Sequence, residues 1–338
     1  MSIKPFIKLM QRGQLTAFTG INGLFKPFYR LTYLAALKQG GLMDMLAQRP
    51  MAFDELTQGY GQSDKAREAL EAWLQLGLRL GYLARNGDAY SLRGLAKKLS
   101  LPHNDAALAL AQEVAGLHHR LILQTPEKLA GGTFWQLADQ DGTLIARSSR
   151  TLEAFQTEAI DRYFPASGAA KLLEIGCGSG FYIQYGLSRN PAMTAVGLEM
   201  QADVAAAVRR NIDEWQLQQR VTIEHGDIRH RAAEAQFDIA TLYNNIYYFP
   251  VPDRVAALQH VRQCLRPGGF LLLTTCCQGG NPGMEVLNLW GAATETGGRL
   301  PGVGELVDQL HQAGYQDIQT TRLIPGDGFY AFKANAPA

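Results

Sequence analysis

Cysteine is scarce in this chain: four of 338 residues, Cys177, Cys264, Cys276 and Cys277. They show neither C-x-x-C spacing nor the pattern of a disulfide framework, which excludes a stapled secreted scaffold and predicts a reducing, cytoplasmic setting. Long apolar runs are missing as well. None approaches the ~20 residues of a membrane-spanning helix, and Lys4, Pro5, Lys8, Gln11 and Arg12 interrupt the N-terminus in a way that reads against a signal peptide. Net charge is only +1, so the chain as a whole carries no polyanion-binding signature. That small sum hides an asymmetry: residues 1–100 hold 14 Lys/Arg against 7 Asp/Glu, so the rest of the chain is net acidic. A basic N-terminal part fits nucleic acid or an anionic membrane, and fits better a basic domain facing its own acidic partner domain. With 46% hydrophobic and 19% charged residues, the composition is that of a soluble globular protein. Its length exceeds the roughly 250–300 residues at which single cores stop growing, which predicts two domains.

What the chain does have is glycine in a telling arrangement. Residues 171–182 read Lys-Leu-Leu-Glu-Ile-Gly-Cys-Gly-Ser-Gly-Phe-Tyr, an apolar strand with one acid that runs into three alternating glycines. Gly176, Gly178 and Gly180 permit a sharp turn without side chains, so the backbone N–H groups at the next helix start can approach a ligand closely. A nicotinamide-binding turn has the spacing G-x-G-x-x-G, which this stretch does not match. About twenty residues on, Val196-Gly197-Leu198-Glu199 reads as a second buried strand ending in a carboxylate, where such folds meet ribose hydroxyls. Val221-Thr222-Ile223 with Gly226-Asp227, residues 237–242, and Leu265-Arg266-Pro267-Gly268-Gly269 before residues 270–275 continue the alternation of strand and helix.

In this order the blocks of residues 165–338 resemble the class I methyltransferases that use S-adenosylmethionine (SAM). The resemblance implies a Rossmann-like, seven-stranded α/β domain. It also implies that Glu174 and the glycine turn hold the methionine end of SAM, and that Glu199 holds the ribose. Met200 would cover one face of the adenine, Asp227 and Ile228 would meet its edge, and Asn244 would lie beside the methionine moiety.

The N-terminal part reads as helical. Apolar spacing over residues 31–48 breaks at Gly40-Gly41, a short helix starts at Phe53-Asp54-Glu55-Leu56, and Ser63-Asp64 caps a longer helix running to Leu80. On that helix Leu70, Trp73, Leu74 and Leu78 share a face with Gly77, whose missing side chain admits a close neighbour. Residues 82–92 predict a hairpin with Asn86-Gly87 in a type I′ turn. Helices followed by a hairpin make a winged helix, which invites a DNA-binding reading, but the candidate recognition helix is mostly core-facing. The combination resembles the winged-helix small-molecule O-methyltransferases, which implies a homodimer and a small-molecule substrate. The domain reading is therefore an N-terminal helical arm (1–30), a winged-helix dimerisation domain (31–103), a helical connector and pocket cap (104–164) and the SAM-binding domain (165–338). In the arm, Phe6, Phe18, Phe25, Phe28 and Tyr29 alternate with Lys4, Lys8, Arg12, Lys26 and Arg30, a mixture suited to a membrane surface, to nucleic acid or, as the plainer account, to a dimer mate.

The family's catalytic histidine follows the fourth strand. Aligning Asp238 with the strand-four aspartate puts Tyr247 at the histidine position and Phe249 at the following tryptophan position. A tyrosine, with a reference pKa of about 10, is a poor base. Glu285 falls where the family's acid orients that histidine, and residues 297–301 follow the family pattern. No metal set is expected, since His118 and His119 would point apart on a helix. Methyl transfer is thus expected to rely on proximity, toward an acidic hydroxyl or toward sulfur or carbon that needs no strong base. Non-methylating use of SAM and a DNA-binding regulator are the alternatives. Base methylation of nucleic acid is disfavoured, because no Pro-Pro-Tyr or Pro-Pro-Phe follows Asn244 or Asn245.

Overall fold

Helical spacing governs the first third of the chain, and a computed structural model describing residues 3–338 shows helices at Lys4–Gln11, Gln14–Gln39, Leu42–Gln48, Phe53–Tyr60, Asp64–Leu80 and Gly94–Leu99. The break at Gly40-Gly41 forms as predicted, with Gly41 at φ +78° in the left-handed region that favours glycine. Ser63 caps its helix by accepting a bond from the Ala66 N–H at 3.2 Å. Gly77 is a point of close approach, since an added Cβ would strike the Tyr33 hydroxyl and would lie 2.7 Å from Leu83 Cδ1. Three short antiparallel strands, β1 (Met51–Ala52), β2 (Leu83–Asn86) and β3 (Ala89–Leu92), lie in the order β1-β3-β2. The hairpin is there, but its turn is shifted by one residue. Asn86 pairs with Ala89, so Gly87 and Asp88 occupy the turn, and only Gly87 has a positive φ (+59°). That is the pattern of a type II′ turn, in which glycine takes the first central place.

The chain divides into two units, Met1–Gly116 and Leu117–Ala338. The second is built on seven strands: β4 (Ala170–Ile175), β5 (Met193–Glu199), β6 (Val221–His225), β7 (Phe237–Tyr243), β8 (Leu265–Cys276), β9 (Gln316–Arg322) and β10 (Phe329–Asn335). Their order is β6-β5-β4-β7-β8-β10-β9. The first five lie parallel, and β10 runs antiparallel to both β8 and β9. Strands β4, β5 and β7 are buried along most of their length, as expected of parallel strands covered on both faces by helices. From β4 the chain builds outward through β5 and β6, then returns to add β7 on the opposite side of β4. The carboxyl ends of β4 and β7 therefore diverge at a topological switch point, the place where open α/β sheets bind ligands.

Candidate functional site

The three glycines leave β4 in the left-handed region, with φ values of +67° at Gly176, +54° at Gly178 and +76° at Gly180. The turn is tied to the neighbouring strand, because the N–H groups of Gly176 and Cys177 donate to the Leu198 carbonyl at 2.8 and 3.1 Å. Packing differs sharply around the three. An added Cβ on Gly180 would lie 2.5 Å from Val208 Cγ2, and one on Gly176 would lie 2.6 Å from Asn245 Nδ2. On Gly178 it would meet only Ala146 Cβ at 4.0 Å, so this glycine faces open space. Two glycines serve packing and the third leaves room.

Glu199, at the end of β5, is 8% exposed. Its Oε2 accepts from the Gly178 N–H at 3.1 Å and its Oε1 from the Gln201 N–H at 3.0 Å. One carboxylate thus shapes the glycine turn and still has lone pairs for a diol. Glu174 lies deeper, 2% exposed on β4, with its Oε2 lacking a protein partner. Burial pushes its carboxyl well above the usual carboxylate range. Met200 follows Glu199 and is 43% exposed, an apolar side chain with an open face.

Asp227 and Ile228 stand after β6. Partial burial works against ionisation of Asp227, and bonds from Arg229 outweigh it, so its carboxyl is held below the usual range. Arg229 reaches it at 2.5 Å through Nη2 and 2.9 Å through Nε. The Ile228 side chain packs into the sheet core with Leu198 and Phe237, which leaves its backbone as the part able to meet a ligand.

After β7, Asn244 adopts φ +53°, and its Oδ1 accepts from the Cys276 N–H at 3.2 Å. The next residue makes the contact across the switch point. Asn245 Nδ2 donates to the Ile175 carbonyl at 2.6 Å, while its Oδ1 is buried without a partner. Tyr247 is 4% exposed, its ring centroid is 4.8 Å from that of Tyr248, and its carbonyl accepts from the Gly298 N–H at 2.9 Å. Its side chain belongs to an aromatic-rich cluster with Trp290, into which Tyr243, Tyr248 and Phe155 also pack. Glu285, on the helix Pro282–Ala293, is exposed and accepts from Asn288 Nδ2 at 3.4 Å. Cys276 and Cys277 are buried at the end of β8, and burial pushes both thiols up to about 12.

The geometry fits SAM: a glycine with room above it, a carboxylate at the end of β5, an unpartnered buried acid and an exposed apolar side chain for a flat base. Residues 172–269 match the family model described as "Methyltransferase domain". These residues carry a methyltransferase domain. Among curated proteins this domain is similar to malonyl-[acyl-carrier protein] O-methyltransferase of Salmonella typhimurium, 27% identical over 171 residues, which are 51% of this chain and 62% of that protein. It is also similar to release factor glutamine methyltransferase of Caulobacter vibrioides, 26% identical over 117 residues, 35% of this chain and 39% of that one. The chain thus spans less than two thirds of either curated relative.

Solved structures share the fold over nearly the whole chain. Mitomycin 7-O-methyltransferase MmcR is 19% identical with a TM-score of 0.76, covering 96% of this chain and 99% of that one. Human N-acetylserotonin methyltransferase in complex with SAM is 15% identical with a TM-score of 0.73, covering 95% and 98%. PigF with SAH is 14% identical with a TM-score of 0.75, covering 95% and 99%. The fold is therefore the Rossmann-like methyltransferase fold with an N-terminal helical region.

Three residues of the methyltransferase domain escape a reading by motif: Arg229, Asn245 and Arg254. Arg254 is fully buried and supports the loop after β7, donating through Nε to the Phe249 carbonyl at 3.2 Å and through Nη2 to the Arg299 carbonyl at 2.5 Å. Burial lowers it to about 10. Among the described residues no cluster of His, Cys, Asp or Glu could hold a metal, and no helix is long and apolar enough to cross a membrane.

Proposed function

We propose that the protein transfers a methyl group from SAM to a small organic acceptor and does so mainly by positioning. The observation that carries this reading is the loop after β7, where a buried tyrosine, Tyr247, stands in an aromatic wall at the position expected for a catalytic base. SAM supplies a methyl carbon on a sulfonium, open to displacement by a nucleophile. We assign Glu174 and Gly176, Gly178 and Gly180 to its methionine end, Glu199 to the ribose, Met200, Asp227 and Ile228 to the adenine, and Asn244 to the methionine flank. Tyr247 orients the acceptor, and its backbone bond with Gly298 fixes the loop that carries it. Glu285 lies too exposed to serve as a buried orienting acid, so we place it at the acceptor entrance.

Alignment of two reactants is worth roughly 7–11 kcal/mol, which is ample where the acceptor oxygen is already acidic or the nucleophile is sulfur or carbon. A planar acceptor suits the aromatic wall. We further propose a homodimer joined through residues 31–103, and a cytoplasmic location in keeping with four free, buried thiols. DNA binding has little support, since Lys65 and Arg67 of the candidate recognition helix are engaged with Glu68 and Asp54.

The test is turnover of SAM with a panel of phenols, enolisable acids and thioethers, following S-adenosylhomocysteine and methylated product by mass spectrometry. One S-adenosylhomocysteine per methylated product supports methyl transfer. Product without S-adenosylhomocysteine supports cyclisation, decarboxylation or hydroxylation assisted by SAM and overturns the proposal.

A further inference from the structure

Parallel pairing places Glu174 of β4 beside Gly197 of β5, which has no side chain, and beside Thr241 of β7. Alternation along β7 and β8 puts Tyr243 and Thr274 on the same face of the sheet. Gln156, on the helix Glu153–Tyr163, covers that face, its Oε1 accepting from the Thr274 hydroxyl at 2.5 Å. All these neighbours are neutral. Four polar atoms of the group are buried without a hydrogen-bond partner: Glu174 Oε2, Gln156 Nε2, Thr241 Oγ1 and Tyr243 Oη. The last three can donate. Among the described residues, the other titratable groups around the acid are Tyr182, Cys177 and Glu199. The Tyr182 ring stands edge-on to Tyr243, with 5.3 Å between centroids. Burial first, and Glu174 after it, raises the hydroxyls of both tyrosines and the Cys177 thiol, so all three stay neutral. Glu199 has the same sign as Glu174, and Arg150, the cation beside Tyr182, is committed to Glu153 through Nε at 2.8 Å. Burial therefore acts on Glu174 with no cation to oppose it.

We propose that Glu174 is a proton-release site for cofactor binding: its neutral carboxyl gives its proton to solvent, and the carboxylate so formed pairs with the α-ammonium of SAM. This rests on the assignment of Glu174 to the methionine end of SAM. The step balances, since one O–H bond breaks, the proton leaves to water, and the ammonium brings the positive charge that the site lacks. An opposite charge within about 4–6 Å favours the ionised acid and so reverses the effect of burial. The hydroxyls of Thr241 and Tyr243 and the Gln156 amide then stand as donors for the carboxylate, which can only accept. Release of a proton on binding makes affinity rise with pH, by about tenfold per pH unit for one proton. The rise spans the window between the carboxyl value of the bound state and the higher value of the free one.

The experiment is calorimetric titration of the full chain with SAM at about pH 6 in phosphate, MES and imidazole, buffers whose ionisation enthalpies differ. At that pH an α-amino group, with an ordinary value of about 7.7–8.0, is already protonated, so the buffer-dependent heat counts protons that leave the protein. The expected result is release of about one proton per SAM, and the same with S-adenosylhomocysteine. Glu174→Gln should bind without release, with an affinity that no longer changes between about pH 5 and 7. 5′-Methylthioadenosine, which has the adenosine and the sulfur but no amino-acid end, should bind the wild type without release. Binding of SAM with no proton released overturns the proposal and leaves the cofactor assignment standing. Release that persists undiminished in Glu174→Gln, or that 5′-methylthioadenosine also provokes, overturns it too. Failure of the wild type to bind either SAM or S-adenosylhomocysteine refutes the cofactor assignment, and the proposal with it. If Glu174→Gln does not fold, the comparison of SAM with 5′-methylthioadenosine on the wild type decides.

Discussion

Gly178→Ala separates cofactor binding from folding in a way that no other glycine of the turn permits. The residue has φ +54°, so a Cβ there costs about 1–2 kcal/mol of backbone strain, in the free and the liganded protein alike. Nothing in the protein obstructs the new methyl, whose nearest neighbour is Ala146 Cβ at 4.0 Å. If the open side of Gly178 is where the methionine end of SAM lies, the methyl intrudes on the ligand. Overpacking of that kind costs typically about 1–3 kcal/mol, or about 5- to 160-fold in affinity. The assay is calorimetric titration with SAM and with S-adenosylhomocysteine, beside thermal unfolding without ligand. Gly180→Ala is the contrast. Its Cβ would lie 2.5 Å from Val208 Cγ2, so the expected loss in unfolding temperature exceeds that of Gly178→Ala, and Val208→Ala should recover only the part due to that clash. Wild-type affinity of Gly178→Ala for both ligands would refute a methionine end lying against this glycine.

Other perturbations probe the remaining parts of the site. Glu199→Ala removes the acceptor proposed for the ribose hydroxyls, where one charge-assisted bond is worth about 1.5–3 kcal/mol, so SAM affinity should fall at least about tenfold by titration, while loss of the bonds from the Gly178 and Gln201 N–H groups loosens the glycine turn. Glu174 has a raised carboxyl, so the native state holds a proton that the unfolded chain has lost. Stability should therefore fall as pH rises above the ordinary carboxyl value, by up to about 1.4 kcal/mol per pH unit, until the folded value is passed. Glu174→Gln should flatten that dependence in urea unfolding across pH 4–8; an unchanged slope would place the proton elsewhere. Tyr247→Phe should slow turnover strongly if the hydroxyl acts on a proton and leave it nearly unchanged if positioning suffices, the second being expected.

The glycine turn and Glu199 were legible because each answers a local constraint: a positive φ three times in five residues, and a polar side chain at the end of a buried strand. The capped helix and the break at Gly40-Gly41 were legible for the same reason. The hairpin turn was misplaced by one residue because Asn86-Gly87 and Gly87-Asp88 are both good turn pairs, and only the pairing of Asn86 with Ala89 decides between them. Asn245 was hidden behind Asn244, its neighbour of identical chemistry. The positive φ at Asn244 turns one amide toward β8 and the next toward β4, and no local pattern foretells which. Arg254 was invisible for another reason: its partner Arg299 lies 45 residues away, and a buried guanidinium is unreadable without the carbonyls that receive it.

The bond from Asn245 to the Ile175 carbonyl has a bearing on chimeric enzymes. It staples the segment expected to face the acceptor to the strand that feeds the glycine turn, and its amide fills the space above the Gly176 Cα. A loop transplanted from another enzyme without that asparagine would strip the carbonyl of its donor and leave a hole beside the turn. Acceptor preference and cofactor affinity would then change together, although only one was targeted. The portable module is the pair of segments, residues 174–180 with 244–250, and a transplant that retains Asn245 should alter specificity while sparing the affinity for SAM.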